Sequence, residues 1–359
     1  MKVIFVTEQK IMGGGEWNLL FLIEKMLTYD IEIGILSCND ILLSLLPDTV
    51  KKYKSEDIGR RGWLSSLPLI WRQVDLEKIT KKKWDIIHFY SPNPTCRMLF
   101  SHAKKVLTVH GPWERANGLR GLQLQFLIDK FLPVSSDVDR SCTVSDNKKK
   151  CIELGIKPSN YSKCIDDVLL CNKGQFNFLC LGRYQSVKGQ DLLLSAVAAI
   201  QSKIPKTIKI NLSFYGEVDE SRKEDILFYD RLLSFKERYF NFDNVTVEFY
   251  KSDRNIEILY DWADVCIIPS RYESFSMVAA ESLSFGVPVI VSNNGAPHAF
   301  IKGRKSGLIF ENDCVDSLAL CLIDFIQSPN QFNDFLGYRE RFSISRQVEE
   351  TLDIYRTLI

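Results

Sequence analysis

Runs of apolar residues that read as β-strands alternate along this chain with runs whose apolar residues recur at helical spacing. Such alternation makes parallel sheets covered by helices, because each strand is followed by a crossover that returns the chain to the same sheet edge. In the first half, strands are expected at residues 3–7, 32–37, 85–90, 106–109 and 142–144, with a helix from about Glu16 to Tyr29. In the second half they are expected at 176–181, 208–215, 245–249, 265–268, 287–291 and 308–310, with helices at 190–200, 255–261, 277–285 and 315–327. Residues 156–175 hold Pro158, Ser159, Asn160, Asp166, Asp167 and Gly174; they interrupt the alternation and read as a linker. At 359 residues the chain is long for one core and comfortable for two. The expected architecture is α/β, two doubly wound domains with a cleft between them.

Hydrophobic residues make up 45% and charged residues 25%, the profile of a folded soluble protein. The net charge of +1 provides no global field for nucleic acid, and no nucleic-acid-binding motif is present. The ten cysteines form no CxxC pair and several lie in apolar runs, as free thiols of a reducing compartment do. The first residues, Met1-Lys2-Val3-Ile4-Phe5-Val6-Thr7, turn polar too soon for a signal peptide. No apolar run approaches the ~20 residues of a membrane span, so a cytoplasmic location is expected.

Two constellations carry chemistry. In Arg271-Tyr272-Glu273-Ser274-Phe275-Ser276-Met277, a loop leaves an apolar strand and enters a helix that Ser276 can cap. Glu273 then lies at the carboxyl end of a strand, where open α/β sheets bind ligands. The free N–H groups of residues 275–278 favour a phosphate. Glu281, about a turn into the helix, is suited to accept two hydrogen bonds from a ribose diol. The second constellation is Leu181-Gly182-Arg183-Tyr184-Gln185-Ser186-Val187-Lys188-Gly189-Gln190, again strand end, loop and helix start. Arg183 as a planar fork and Lys188 as a point charge can clamp a pyrophosphate. Alone, each constellation is also compatible with ordinary surface charges.

In order and spacing together they resemble the retaining glycosyltransferases of family 4, glycosyl transferases group 1, over residues 176 to about 310. The family's strand-G-R-x-x-x-x-K-G element stands here as Gly182-Arg183…Lys188-Gly189. Its later P-S-x-x-E-x-F element, second Glu and Gly-x-P-V strand stand as Pro269-Ser270…Glu273…Glu281 and Gly286-Val287-Pro288-Val289. The resemblance implies the GT-B fold, two Rossmann-like domains facing across a cleft. It places an acceptor-binding domain at 1–170, a nucleotide-sugar-binding domain at 171–335, and a C-terminal helix at 336–359 returning to the first. It implies that Arg183 and Lys188 neutralise the donor diphosphate, Glu273 contacts the donor sugar, and Glu281 holds the ribose. Backbone groups of Ser274, Phe275, Ser276 and Met277 reach the phosphates or sugar. Ser276 stands where many members carry Gly.

The N-terminal half matches more loosely. Gly13-Gly14-Gly15 follows the first strand as the family's Gly-Gly loop does, and glycine lets backbone approach a phosphate or sugar. It is not G-x-G-x-x-G, which disfavours a dehydrogenase. Thr108-Val109-His110 resembles the family's strand-end T-x-H, whose His sits beside the donor sugar; Gly111 replaces the usual acidic residue. Val144-Ser145 resembles the V-S strand end before the linker, whose usual Asn-Gly-Val-Asp is Ile165-Asp166-Asp167-Val168 here.

Asp137-Val138-Asp139 is formally a D-x-D, but it is expected before a strand rather than after one, and no cluster has metal-ligand spacing. No metal or cofactor is expected. Residues 51–83 carry ten Lys/Arg against four Asp/Glu, interleaved with Trp63-Leu64, Leu67 and Leu69-Ile70-Trp71. That segment reads either as a helix pair with a solvated basic face or as a surface for anionic lipid or a diphosphate-linked acceptor. The expected partners are a UDP- or GDP-sugar and a glycan or lipid-linked acceptor, at the inner face of the plasma membrane in bacterial surface-polysaccharide or glycoconjugate assembly. Alternatives are another GT-B enzyme, an epimerase or hydrolase of nucleotide sugars, and a non-catalytic partner in polysaccharide assembly.

Overall fold

The computed structural model describes residues 1–54, 76, 80–90, 101–111, 124–157, 174–240, 243–251 and 255–359. Residues 158–173 of the expected 156–175 linker, the replaced linker motif at 165–168 among them, and the basic-aromatic residues at 55–75 lie outside them. The chain forms two compact units, Met1–Pro158 with Phe342–Ile359, and Ser159–Arg341.

The first unit holds one all-parallel six-stranded sheet in the order β3-β2-β1-β4-β5-β6. Its strands are β1 (Lys2–Thr7), β2 (Glu32–Ser37), β3 (Lys51–Lys54), β4 (Ile86–Phe89), β5 (Lys104–Val109) and β6 (Lys130–Pro133). The crossover after β1 is α1 (Gly14–Met26), and α2 (Asp40–Leu45) follows β2. The second unit repeats the plan in the order β12-β11-β10-β7-β8-β9, again all parallel. Its strands are β7 (Gln175–Leu181), β8 (Lys209–Gly216), β9 (Val245–Lys251), β10 (Val265–Ile268), β11 (Val289–Ser292) and β12 (Gly307–Phe310). Both orders are the doubly wound 3-2-1-4-5-6 arrangement, whose strand order reverses beside the first strand. The central strands are apolar on both faces; Val265, Cys266 and Ile267 are fully buried.

One expected strand is corrected. The sixth strand of the first sheet is Lys130–Pro133, not 142–144. Phe131 and Leu132 are buried, and Pro133 ends an edge strand, where a missing N–H costs little. The D-x-D therefore follows a strand after all, on α3 (Ser136–Ser141). Its carboxylates are engaged: Asp137 meets Arg140 at 3.2 Å and Asp139 meets Lys149 at 3.4 Å. Among the described residues, no group of three His, Cys, Asp or Glu side chains is placed to hold a metal ion.

After the second sheet the chain returns to the first unit. Helix α11 (Ile344–Leu358) buries Ile344, Val348, Leu352 and Tyr355 in the core that α1 covers. Each such side chain contributes about 1.5–3 kcal/mol of burial. A Cβ at Gly155 would lie 2.5 Å from the Ile344 Cα, so glycine is what lets the helix start lie this close. Among the described residues, no helix is long and apolar enough to cross a membrane.

A buried polar network runs through this unit. Gln347 on α11 accepts from Asn18 Nδ2 at 2.8 Å and from the Gly155 N–H at 2.6 Å. Tyr90 donates its hydroxyl to Asn18, and His88 joins the Tyr355 hydroxyl at 2.5 Å to Thr108 Oγ1 at 2.7 Å. Burial pushes His88 down to about 3 and His110 to about 4. Both are neutral in the folded unit at pH 7, so their contribution to stability is present above the unfolded value near 6.5 and is lost as the pH falls below it. Acidification from pH 7 to 5.5 is expected to cost this unit about 2 kcal/mol. Urea unfolding followed by Trp17 and Trp84 fluorescence reads that loss. His88→Gln should halve the slope, and an unchanged slope would rule His88 out as a source.

Candidate active site

In the second unit the order reverses between β7 and β10, so two loops flank the switch point at the carboxyl ends of these strands. The first leaves β7 through Gly182, whose N–H donates to Tyr215 O at 2.9 Å. A Cβ on Gly216 would sit 2.0 Å from Gly182 O, so the loop lies directly on the end of β8. Gln190, buried at the start of α4 (Gln190–Ile200), donates Nε2 to Arg183 O at 2.9 Å. The Arg183 backbone is thus fixed while its side chain is exposed and makes no ion pair with a described residue.

Lys188 ends the short 3₁₀ turn Ser186–Lys188. Its Nζ lies 2.7 Å from Glu273 Oε1, which also accepts from Ser270 Oγ at 2.8 Å. The side chains are 26% and 14% exposed, so this pair is poorly screened compared with a surface pair. Gly189 then enters α4 at φ +68°, where a Cβ would meet Pro269 O at 2.0 Å. Only glycine satisfies both the left-handed backbone and the approach of the second loop.

That second loop runs from β10 to α7 (Met277–Ser284). Glu273 is held by Ala296, whose N–H donates to its carbonyl at 2.8 Å, and by Gly295 at φ +90°, where a Cβ would lie 2.1 Å from the same oxygen. Phe275 is buried against Phe300, with ring centroids 5.3 Å apart. Ser276 caps α7, accepting from the Ala279 N–H at 3.3 Å, and adopts φ +77°. A serine there is strained where glycine is not, so the departure from the family's Gly carries a backbone cost offset by the cap. Ser274 and Met277 flank it, half-buried. On the second turn of α7, Glu281 accepts from the buried Tyr260 hydroxyl at 3.0 Å; Tyr260 lies on α6 (Ile256–Trp262). Burial pushes Glu281 up to about 7, with the Tyr260 hydrogen bond opposing it. The carboxyl end of the sheet's central strands thus carries Arg183, Lys188 and Glu273, with the helix start at Ser274–Met277 and Glu281 beyond.

In the first unit, Gly13 is the N-cap of α1, and its N–H donates to Glu16 Oε2 at 3.1 Å. A Cβ on Gly15 would lie 3.4 Å from His110 Cε1, so the glycine loop rests against the imidazole that follows β5. The His110 ring packs edge-on to Tyr90 at 5.0 Å, with Nε2 shut off from solvent. Gly13, Gly14, Gly15 and His110 therefore form one cluster at the carboxyl ends of β1 and β5.

Comparison with known proteins adds what geometry alone does not. Residues 164–342 match the family described as glycosyl transferases group 1. This half of the chain is a glycosyltransferase domain. A D-inositol 3-phosphate glycosyltransferase of Segniliparus rotundus is 25% identical over 183 residues, 50% of this chain and 39% of that protein. An uncharacterized 41.2 kDa protein in the cps region of Klebsiella pneumoniae is 25% identical over 64% of this chain and 58% of its own length. The chain spans less than two thirds of the curated relatives it matches first. The structure of Anabaena Alr3699/HepE in complex with UDP superposes with a TM-score of 0.76 at 14% identity, over 99% of this chain and 100% of that one. The fold of the whole chain is therefore GT-B.

Within this glycosyltransferase domain, sequence reasoning left several residues unassigned. Arg271 sat inside the quoted motif but received no role. Its guanidinium grips Asp191 with both Nη atoms, at 3.0 and 2.9 Å, and reaches Asp313 through Nε at 2.8 Å. Ser270, also within the motif and given no role there, donates its hydroxyl to the Glu273 carboxylate. In the first unit, Asn18, His88, Tyr90 and Gln347 were passed over because their partners lie up to 329 residues away, a separation that no local pattern reports.

Proposed function

We propose that this chain is a retaining glycosyltransferase that moves a sugar from a UDP- or GDP-sugar to a glycan or lipid-linked acceptor. The observation that carries the reading is the juxtaposition of exposed Arg183 with the Lys188–Glu273 pair at the switch point of a glycosyltransferase domain. Two cations and a helix start can take up the charge that develops on a departing diphosphate, so no metal cofactor is required. Glu273 orients the donor sugar and Glu281 the ribose. His110, neutral at pH 7, serves the sugar as a hydrogen-bonding group rather than as an acid, and the Gly13–Gly15 loop rests against its ring. The acceptor hydroxyl attacks from the face the diphosphate leaves, and a phosphate oxygen assists its deprotonation. The UDP bound by the HepE structure and the cps-region relative support a nucleotide-sugar donor and a bacterial surface-polysaccharide product. The work would be done at the cytoplasmic face of the membrane.

The test is a panel of nucleotide sugars scored for protection against thermal unfolding, followed by product analysis. A new glycoside with free nucleotide supports transfer; an epimerised donor or free sugar alone assigns the chain to the other GT-B chemistries.

The Glu281 assignment carries a pH dependence. A ribose diol donates to the carboxylate, so binding needs the ionised form, while burial keeps the free group near 7. Affinity for the nucleotide sugar is expected to rise about tenfold between pH 6 and pH 8 as Glu281 ionises. Calorimetric titration reads the slope, and Glu281→Gln should flatten it. A slope that survives the substitution would remove Glu281 from the ribose.

A further inference from the structure

We infer that Arg271 and Asp191 are positioning residues that set the distance between the Lys188 cation and the Glu273 carboxylate, an inference that rests on the donor-site reading above. Arg271 stands two residues before Glu273, and its N–H donates to the carbonyl of Val187, the residue before Lys188, at 2.8 Å. The Arg271 side chain continues the same link. Besides the two bonds to Asp191 on α4 and the one to Asp313, Nη1 donates to Ser186 O. Asn294 Nδ2 in turn donates to Arg271 O at 2.7 Å, beside the Gly295 and Ala296 backbone that braces Glu273. One guanidinium therefore joins the turn that carries Lys188, the helix that follows it and the loop that carries Glu273.

An isolated ion pair of this exposure is a minor contributor to stability. The geometry gives this one a different value. A bidentate fork fixes orientation as well as distance, which a lysine ammonium cannot do. Four of the five guanidinium N–H donors of Arg271 are taken at this junction, by Asp191, Asp313 and Ser186 O. Bound in this way, Arg271 acts on a substrate through the placement of Lys188 and Glu273. A nucleoside diphosphate alone meets the cations, whereas a nucleotide sugar must meet Lys188 and Glu273 at once. Loosening the fork should therefore penalise the second ligand selectively, because misplacement by about 1 Å at a reacting centre can cost on the order of a hundredfold.

Arg271→Lys keeps the charge and loses the fork. Asp191→Asn keeps the volume and loses one charged partner, which provides a second variant should the first fail to fold. Calorimetry with the nucleoside diphosphate and the matching nucleotide sugar that protect the wild type reads the effect. The expected result in each variant is nucleoside diphosphate affinity within about threefold of wild type and nucleotide-sugar affinity lower by about tenfold or more. Parallel loss of both affinities would show a general loosening and overturn the inference, as would no change in either. Wild-type protein that binds neither ligand would instead remove the donor-site reading, and the inference with it.

Discussion

With Lys188 replaced by Ala, the rate of sugar release from the donor is expected to fall at least about a hundredfold, equivalent to about 2.7 kcal/mol of transition-state stabilisation. The ammonium is held at the switch point by the turn Ser186–Lys188 and by Gly189, whose left-handed backbone fits under Pro269 O. A point charge fixed in this way stabilises charge on a leaving diphosphate without reorganising. The substitution also leaves the Glu273 carboxylate accepting from Ser270 Oγ without its cation, so part of the effect will be lost stability. Arg183→Ala separates the two contributions. Arg183 is exposed and makes no ion pair with a described residue, so its removal should lower the rate while leaving the melting temperature within about 1 °C. Near-normal rates in both variants would remove the two cations from the reaction.

The parts of this fold that were legible in the sequence are those where burial dictates composition. The strand at Val265–Ile268 and the helices Gln190–Ile200 and Val315–Gln327 fall where the apolar pattern puts them, because each is covered by other elements. The pattern was silent where packing imposes structure on polar sequence. Lys51-Lys52-Tyr53-Lys54 has no strand signature; it is a strand because it pairs with β2 at the sheet edge. The 17-residue helix Lys223–Tyr239 presents only Phe228 and Leu232 as buried apolar side chains, too narrow a stripe to stand out among its charges. The candidate site divides in the same way. Arg183, Lys188, Glu273 and Glu281 could be found because loop–helix junctions after strands are written locally. The pairing of Lys188 with Glu273 could not, because 85 residues separate them and only the parallel order of β7 beside β10 makes them neighbours.

That pairing gives Glu273→Gln an expected result with two opposite signs. Transfer should fall at least about a hundredfold, since an amide cannot orient the donor sugar as the carboxylate does. Affinity for the free nucleoside diphosphate should rise, by up to about tenfold, which corresponds to about 1.4 kcal/mol for a partly buried ion pair. In the donor-free protein Lys188 is held by Glu273, so a diphosphate must take the ammonium from a carboxylate 2.7 Å away and leave that anion behind. A nucleotide sugar compensates by bringing hydroxyl donors to Glu273; a nucleoside diphosphate brings none. After transfer, the product is the ligand that leaves Glu273 unsatisfied, and recapture of Lys188 by Glu273 favours its release. Glutamine removes the competing charge. Placing the substitution in a Lys188→Ala background should abolish the gain, because the ammonium is what the carboxylate and the diphosphate compete for. Nucleoside diphosphate binding that weakens in Glu273→Gln, or a gain that persists without Lys188, would show that the resting pair is not what the product displaces.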